Sequence, residues 1–167
     1  MEANKTQPID IASMRDEDEL AGQSLTFYIG DVMYGLPLTN VLEIISVQPV
    51  AKVPGTPAYV KGVINLRGGI VPVLDVRLKF GQAEREYDDQ TNIIITVLDD
   101  ITVGLVVDRV SNVVRPEAVN DTSALPEFNT VNSNRYMTSV SRVGSQLVMN
   151  LNCATILEDD NFTGLGA

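Results

Sequence analysis

The sequence predicts an all-β protein made of two five-stranded Greek-key barrels of the OB/SH3-like type, with little helix. Three observations support this fold class. Short runs of β-favouring residues alternate with turn signals from residue 23 onward. Ten such runs are present, twice the number in one small barrel. The two halves of the chain also resemble each other in order and spacing.

The strands are expected wherever an apolar run is bounded by residues that favour turns. Tight hairpin connections are expected at Gly30-Asp31, Gly68-Gly69, Asp99-Asp100 and Gly144-Ser145. Pro72 has no backbone donor, so its strand is expected to be an edge or to meet a bulge there. Helical turns are expected at 38–42, 76–79 and 152–157. The ten predicted strands are 24–29, 32–36, 43–47, 60–66, 70–74, 92–98, 101–107, 110–115, 136–143 and 146–151.

The internal similarity has two offsets. An offset of 69 residues aligns Gly35 with Gly104, and an offset of 77 residues aligns 59–76 with 136–153. The order of matches and the shared strand-turn-strand register indicate a duplicated unit. Further pairs at the first offset are Asp31 with Asp100, Val41 with Val110 and Ile44 with Val113.

The predicted organisation has one folded region between two tails. An acidic tail is expected at 1–22, with at most a marginal helix at 9–20, and a second tail at 158–167. Residues 23–157 are expected to form the domain, with subdomains at roughly 23–81 and 91–157. The polar stretch 82–90 is interpreted as the central connection, and 116–134 as a long loop.

Composition excludes several classes of function. A net charge of −10 disfavours nucleic acid and anionic membranes as partners. The chain has no histidine and one cysteine, Cys153, so neither a zinc site nor a disulfide is expected. No signal peptide or membrane-spanning run is evident. The protein is therefore expected to be soluble and cytoplasmic, without a cofactor and without membrane insertion.

The most specific motif is the stretch Lys61–Arg77, which reads KGVINLRGGIVPVLDVR. Tyr34-Gly35-Leu36, the stretch 56–60 and the stretch 104–110 accompany it. Together these motifs resemble the CheW-like domain family, which contains chemotaxis coupling proteins and the regulatory domain of the kinase CheA. The resemblance covers about residues 23–157.

The resemblance implies a fold in which strands are exchanged between the halves, and a function without catalysis. Similar proteins are adaptors that join the cytoplasmic tips of chemoreceptors to the histidine kinase CheA. Chemoreceptors and the CheA regulatory domain are therefore the expected partners. The residues expected to contact them are Val41, Glu43, Ile44, Asn65, Arg67, Gly68, Asp108, Val110 and Val113.

Six of these assignments have a structural alternative. Arg67 could be a solvated turn residue, and Glu43 could be the outward residue of a half-buried strand, whereas the functional interpretation pairs them beside a binding groove. Asp108 could terminate a strand. The three valines, Val41, Val110 and Val113, could belong to the core.

Four alternative functions remain. The chain could serve another receptor-kinase array or be part of a larger signalling protein. It could instead be a ligand-binding barrel, but aromatic residues make up only 5% of the chain and tryptophan is absent. A carboxylate-based enzyme would need two placed acids, which no motif marks.

Overall fold

The computed structural model describes residues 20–119 and 136–158. Within these residues the chain forms eleven strands, two short helices and one 3-10 turn at Leu38–Asn40. The helices are α1 (Val76–Lys79) and α2 (Cys153–Glu158). The strands are β1 (Ser24–Ile29), β2 (Val32–Pro37), β3 (Val41–Ser46), β4 (Val60–Leu66), β5 (Gly69–Asp75), β6 (Asn92–Leu98), β7 (Ile101–Val107), β8 (Arg109–Val114), β9 (Glu117–Ala118), β10 (Met137–Val143) and β11 (Gln146–Leu151).

The strands form two mixed sheets, and each sheet takes strands from both halves of the chain. The six-stranded sheet has the order β8-β1-β2-β11-β10-β9, and the five-stranded sheet has the order β3-β6-β7-β5-β4. The short strand β9 has no counterpart in the other sheet. When β1, β2, β3, β4 and β5 are matched in turn with β6, β7, β8, β10 and β11, the remaining strands have the same order in both sheets. The predictions of a mostly β fold with little helix, duplicated and strand-exchanged, are thus confirmed.

The duplication extends to individual strand pairs. Each sheet has one parallel junction, which places Asn150 beside Gly35 in one sheet and Val73 beside Gly104 in the other. These residues differ by the same offsets, 69 and 77, that the sequence comparison gave. The irregularity between Val60 and Gly62 also recurs 77 residues later, between Met137 and Ser139.

The core has two parts. One cluster collects side chains from both sheets, including Phe27 of β1 and Ile94 of β6. The second cluster belongs to the five-stranded sheet and includes Ile93 and Ile95. Since successive strand residues point to opposite faces, β6 contributes to both clusters, which explains its nearly continuous run of apolar residues.

Several local expectations require correction. The predicted helix at 38–42 is only the 3-10 turn, because β3 begins at Val41 rather than at residue 43. The short strand β9 lies where only a loop was expected, because it pairs with β10. The hairpin turn of the signature motif is Arg67-Gly68, since Leu66 pairs with Gly69.

The prediction for Pro72 was also wrong, because β5 lies between β7 and β4. The irregularity in β4 lies opposite Val73 and Leu74, not opposite Pro72. Val63, the partner of Pro72, exchanges its backbone hydrogen bonds with Ala51. The missing donor of Pro72 therefore points away from β4, and the pairing with β7 begins only at Val73.

Other expectations lie outside the described residues. These are the tails over 1–19 and 159–167, most of the marginal helix at 9–20, and most of the loop at 116–134.

Candidate binding site around Glu43 and Arg67

Glu43 and Arg67, the two charged residues expected to form a pair, are in contact. Arg67 Nη1 donates to Glu43 Oε1 at 3.2 Å, and Nη2 contacts Oε2. The arginine side chain is 69% exposed and that of the glutamate 28%. The hydrogen bond and the charge of Glu43 raise the pKa of Arg67. An exposed ion pair adds little to folding stability, so the pair mainly fixes the direction of the guanidinium group.

The hairpin turn between β4 and β5 presents Arg67 to solvent. Arg67 and Gly68 are its two central residues, with φ angles of 50° and 87°. Positive φ at both positions is typical of a type I′ turn, which matches the twist of the adjoining strands. Asn65 Oδ1 accepts a hydrogen bond from the Gly68 backbone N–H at 3.1 Å. Asn65 and Gly68, both predicted site residues, thus shape the turn that carries Arg67.

An irregularity in β3 sets the direction of Glu43. The pairing with β6 skips Leu42 and resumes with Glu43 opposite Ile95. Cross-strand partners point to the same face of a sheet, and Ile95 belongs to the core of the five-stranded sheet. Glu43 therefore lies at the margin of that core, where Arg67 reaches it.

The four apolar residues expected at the site occupy equivalent places in the two sheets. Val41 and Ile44 belong to β3, and Val110 and Val113 belong to β8; both are edge strands. Val41 is only 3% exposed and belongs to the core between the sheets. The other three are half-buried and pack against that core. Ile44, Val110 and Val113 therefore retain accessible surface, whereas Val41 has almost none.

The structure gives Asp108 an internal role in the fold. Its side chain is 11% exposed. The carboxylate accepts hydrogen bonds from the Gly30 backbone N–H at 2.7 Å, from Arg77 Nε at 3.2 Å and from Arg85 Nη1 at 3.0 Å. The Asp108 backbone N–H also donates to Tyr28 O at 3.1 Å. Asp108 thus joins the β1–β2 turn, α1 and the central connection to the junction between β7 and β8.

Sequence reasoning missed the partners of Asp108 and a second polar contact. Tyr87 Oη donates to Asp75 Oδ2 at 2.6 Å, and Asp75 is buried. Burial and this hydrogen bond raise the pKa of Tyr87. Asp75 Oδ1 also accepts from the Leu78 backbone N–H at 3.1 Å. An aspartate immediately before a short helix is a recognisable capping signal, but no spacing rule pairs it with Tyr87.

The described part of the chain contains no group of three or more histidine, cysteine, aspartate or glutamate residues arranged to hold a metal ion. Cys153 is buried, and burial raises its pKa to about 11. None of the helices in the described ranges has the length and apolar character needed to span a membrane. The surface around Glu43 and Arg67 offers an oriented guanidinium group and a polar turn, whereas the half-buried aliphatic side chains lie on the edge strands β3 and β8.

Comparison with known proteins gives consistent results. The sequence model of the family described as CheW-like domain matches residues 23–161 of this chain. A chemotaxis protein CheW from Klebsiella aerogenes is 33% identical over 155 residues, which cover 90% of this chain and 93% of that protein. A chemotaxis protein CheW from Helicobacter pylori is 32% identical over 149 residues, covering 89% and 88%.

A solved structure resembles this fold. The crystal structure of the scaffolding protein TtCheW from Thermoanaerobacter tengcongensis matches with a TM-score of 0.68. The match covers 81% of this chain and 92% of that chain, at 24% sequence identity. At that identity the likeness concerns the fold.

Proposed function

Since the chain belongs to the CheW-like domain family, we propose that it is a chemotaxis adaptor that couples the cytoplasmic tips of chemoreceptors to the histidine kinase CheA. The main observation in support is the family match over residues 23–161, which includes both sheets and the Glu43–Arg67 pair. The relatives named chemotaxis protein CheW are matched over most of their own length, which supports the same role. The adaptor works in the cytoplasm and without catalysis.

The receptor contact is assigned to the surface around Glu43 and Arg67. Apolar stripes of receptor helices would lie against Ile44, Val110 and Val113, as in other helix-in-groove complexes. Arg67 would fix their orientation by polar contacts at the margin, a role in which arginine is frequent at interfaces. Asn65 and Gly68 contribute by holding the turn.

The structure supports this assignment in two ways. Arg67 keeps most of its surface free while Glu43 holds two of its nitrogen atoms, so the guanidinium group has a defined direction before binding. An ordered side chain loses less entropy when a partner binds. Ile44, Val110 and Val113 are anchored by the core, so they also need little rearrangement.

The test measures receptor affinity, CheA affinity and thermal stability for Arg67→Glu and Glu43→Lys. Each change should weaken receptor binding tenfold or more, whereas thermal stability and CheA affinity should stay near wild type. Arg142→Glu is the matched control, because Arg142 is an exposed arginine, 52% accessible, that faces Glu117 at 4.0 Å on the other sheet. It should leave receptor affinity unchanged.

The double variant Glu43→Lys/Arg67→Glu distinguishes a direct contact of Arg67 with the receptor from an indirect effect of its ion pair with Glu43. It restores an ion pair in reverse, so it should still fail to bind the receptor if Arg67 touches the partner. Recovery of binding would show that only the internal pair matters. Wild-type affinity for both partners in the single variants, or their unfolding, would contradict the assignment.

A further inference from the structure

One end of the five-stranded sheet exposes an apolar pair. Ile70 is 41% exposed and Ile101 is 37% exposed, and they are the exposed large hydrophobic residues of the described ranges. β5 and β7 are parallel, with Val73 beside Gly104. The paired stretch begins at Val73 and Gly104, so Ile70 and Ile101 each lie three residues before it, at the same end of the two strands. Both isoleucines therefore expose apolar surface at one end of the sheet, and we call this exposed pair the apolar patch.

Opposite charges flank this patch. The turn between β6 and β7 carries Asp99 and Asp100, and the turn between β4 and β5 carries Arg67; all three are exposed. The sheet order β6-β7-β5-β4 places the acidic turn next to Ile101 and the basic turn next to Ile70. Across this sheet end the surface therefore runs from acidic through apolar to basic.

The backbone at the two turns is unusual. Arg67, Asp99 and Asp100 have φ angles of 50°, 50° and 69°, and they are the non-glycine residues with positive φ in the described ranges. Glycine would adopt such angles without steric cost, and arginine is not among the residues that favour them. Aspartate adopts such angles readily in hairpin turns, so only Arg67 is a charged side chain held here against the local backbone preference, as happens at binding surfaces.

The other sheet lacks this pattern. The residues equivalent to Ile101 and Ile70 are Val32 and Leu147, which are half-buried and pack against the core between the sheets. The turn equivalent to Asp99-Asp100 is Gly30-Asp31, and glycine replaces Arg67 at the other turn. The exposed patch between opposite charges is therefore specific to one sheet, and the duplicated fold does not require it.

We propose that this sheet end is a self-association surface, at which two copies of the chain pair about a two-fold axis. A surface that runs from acidic through apolar to basic is its own complement after a two-fold rotation. In such a pair, Ile70 of each copy meets Ile101 of the other, and Arg67 faces Asp99 and Asp100 across the interface. The net charge of −10 repels two copies at long range, so association depends on this local match. The patch is small, which predicts a weak and reversible dimer.

The test is sedimentation equilibrium of the full chain over a wide concentration range. The wild type should show a reversible monomer–dimer equilibrium. Ile101→Asp and Asp100→Lys should each raise the dissociation constant at least tenfold. Asp31→Lys is the matched control, with the same charge change at the equivalent exposed turn, and it should dimerise like the wild type. Thermal melts of every variant check that each is folded.

A mixing experiment tests the two-fold geometry. Arg67→Glu and Asp100→Lys should each self-associate poorly, since each brings like charges together twice. An equimolar mixture restores both charge pairs, because Glu at position 67 then faces Lys at position 100 and the wild-type pair forms on the other side. The mixture should dimerise with an affinity within a few fold of wild type.

A monomeric wild type, an equal effect of Asp31→Lys, or a mixture that stays monomeric would overturn the proposal. Assemblies larger than a dimer would also overturn it, since they indicate a head-to-tail contact. Asp100 and Ile101 lie outside the proposed receptor site, so the results for Asp100→Lys and Ile101→Asp are independent of receptor coupling.

Discussion

The carboxylate of Asp108 is the most informative position for a stability measurement. It accepts hydrogen bonds from Arg77, Arg85 and the Gly30 backbone, at 3.2, 3.0 and 2.7 Å. Asp108→Ala removes all three acceptor contacts at once. Arg77 is left with two long contacts, to Gln82 and the Ala83 carbonyl, both at 3.4 Å.

The size of the effect follows from burial. Breaking a fully buried ion pair costs about 3–5 kcal/mol, and an exposed pair is worth about 0–1 kcal/mol. The side chains of Arg77 and Asp108 are 17% and 11% exposed, closer to the buried case. Asp108→Ala should therefore lower the free energy of unfolding by about 2–4 kcal/mol. For a chain of this size that corresponds to a fall in Tm of roughly 5–15 °C.

Urea unfolding of the wild type and the variants measures this change at constant m value. Arg85→Ala is the matched control, since Arg85 is 49% exposed and its loss leaves Asp108 paired with Arg77; it should cost less than about 1 kcal/mol. Arg77→Met combined with Asp108→Ala should regain part of the loss, because no charge is then stranded. A loss below about 1 kcal/mol for Asp108→Ala, or an equal loss for Arg85→Ala, would refute the reasoning.

Three further predictions concern buried groups and their contacts. Gly62 has a φ of 141°, and a Cβ there would lie 2.1 Å from Ala51 O. Gly62→Ala should therefore lower the free energy of unfolding, measured in urea, by roughly 3 kcal/mol or more. A near-neutral result would contradict the close approach of the two backbone segments. Tyr87→Phe removes the hydroxyl that donates to buried Asp75, so it should lower the free energy of unfolding by about 1–3 kcal/mol. An unchanged unfolding midpoint would show that this hydrogen bond does not stabilise the fold. The thiolate is the reactive form of cysteine, and burial raises the pKa of Cys153 to about 11. Thiol-reactive dye at mildly alkaline pH should therefore label Cys153 slowly in the native protein and rapidly in denaturant, and equal rates would show that the thiol is accessible.

The parts of the fold that the sequence predicts are those fixed by local chemistry. The bounds of β1, β4, β6, β7 and β11 agree with the predicted strands because runs of β-favouring residues are bounded by turn signals there. The internal offsets correctly indicated the duplication, since Gly35 and Gly104 occupy equivalent places in the two sheets. The contact between Glu43 and Arg67 was expected from the family resemblance, not from spacing.

The parts that were missed depend on contacts between distant segments. Asp108 and Gly30 are 78 residues apart, and no local pattern marks their hydrogen bond. The short strand β9 exists only because β10 offers it an edge. Pro72 suggested an edge strand, but its missing donor falls on a side where pairing has not yet begun. The residue types in a strand do not determine whether the backbone N–H position of one residue, such as Pro72, faces a neighbouring strand.

The exchange of strands between the halves has a consequence for synthesis on the ribosome. β1 needs β8, β3 needs β6, and β2 needs the last strand, β11, so neither sheet can be completed while the second half is unmade. Such distant pairings close large loops, which slows folding. The first half must therefore emerge with unpaired strand edges and stay available until the end of translation. A stop codon that removes β11 would delete an interior strand of the six-stranded sheet, leaving β2 and β10 without the neighbour between them.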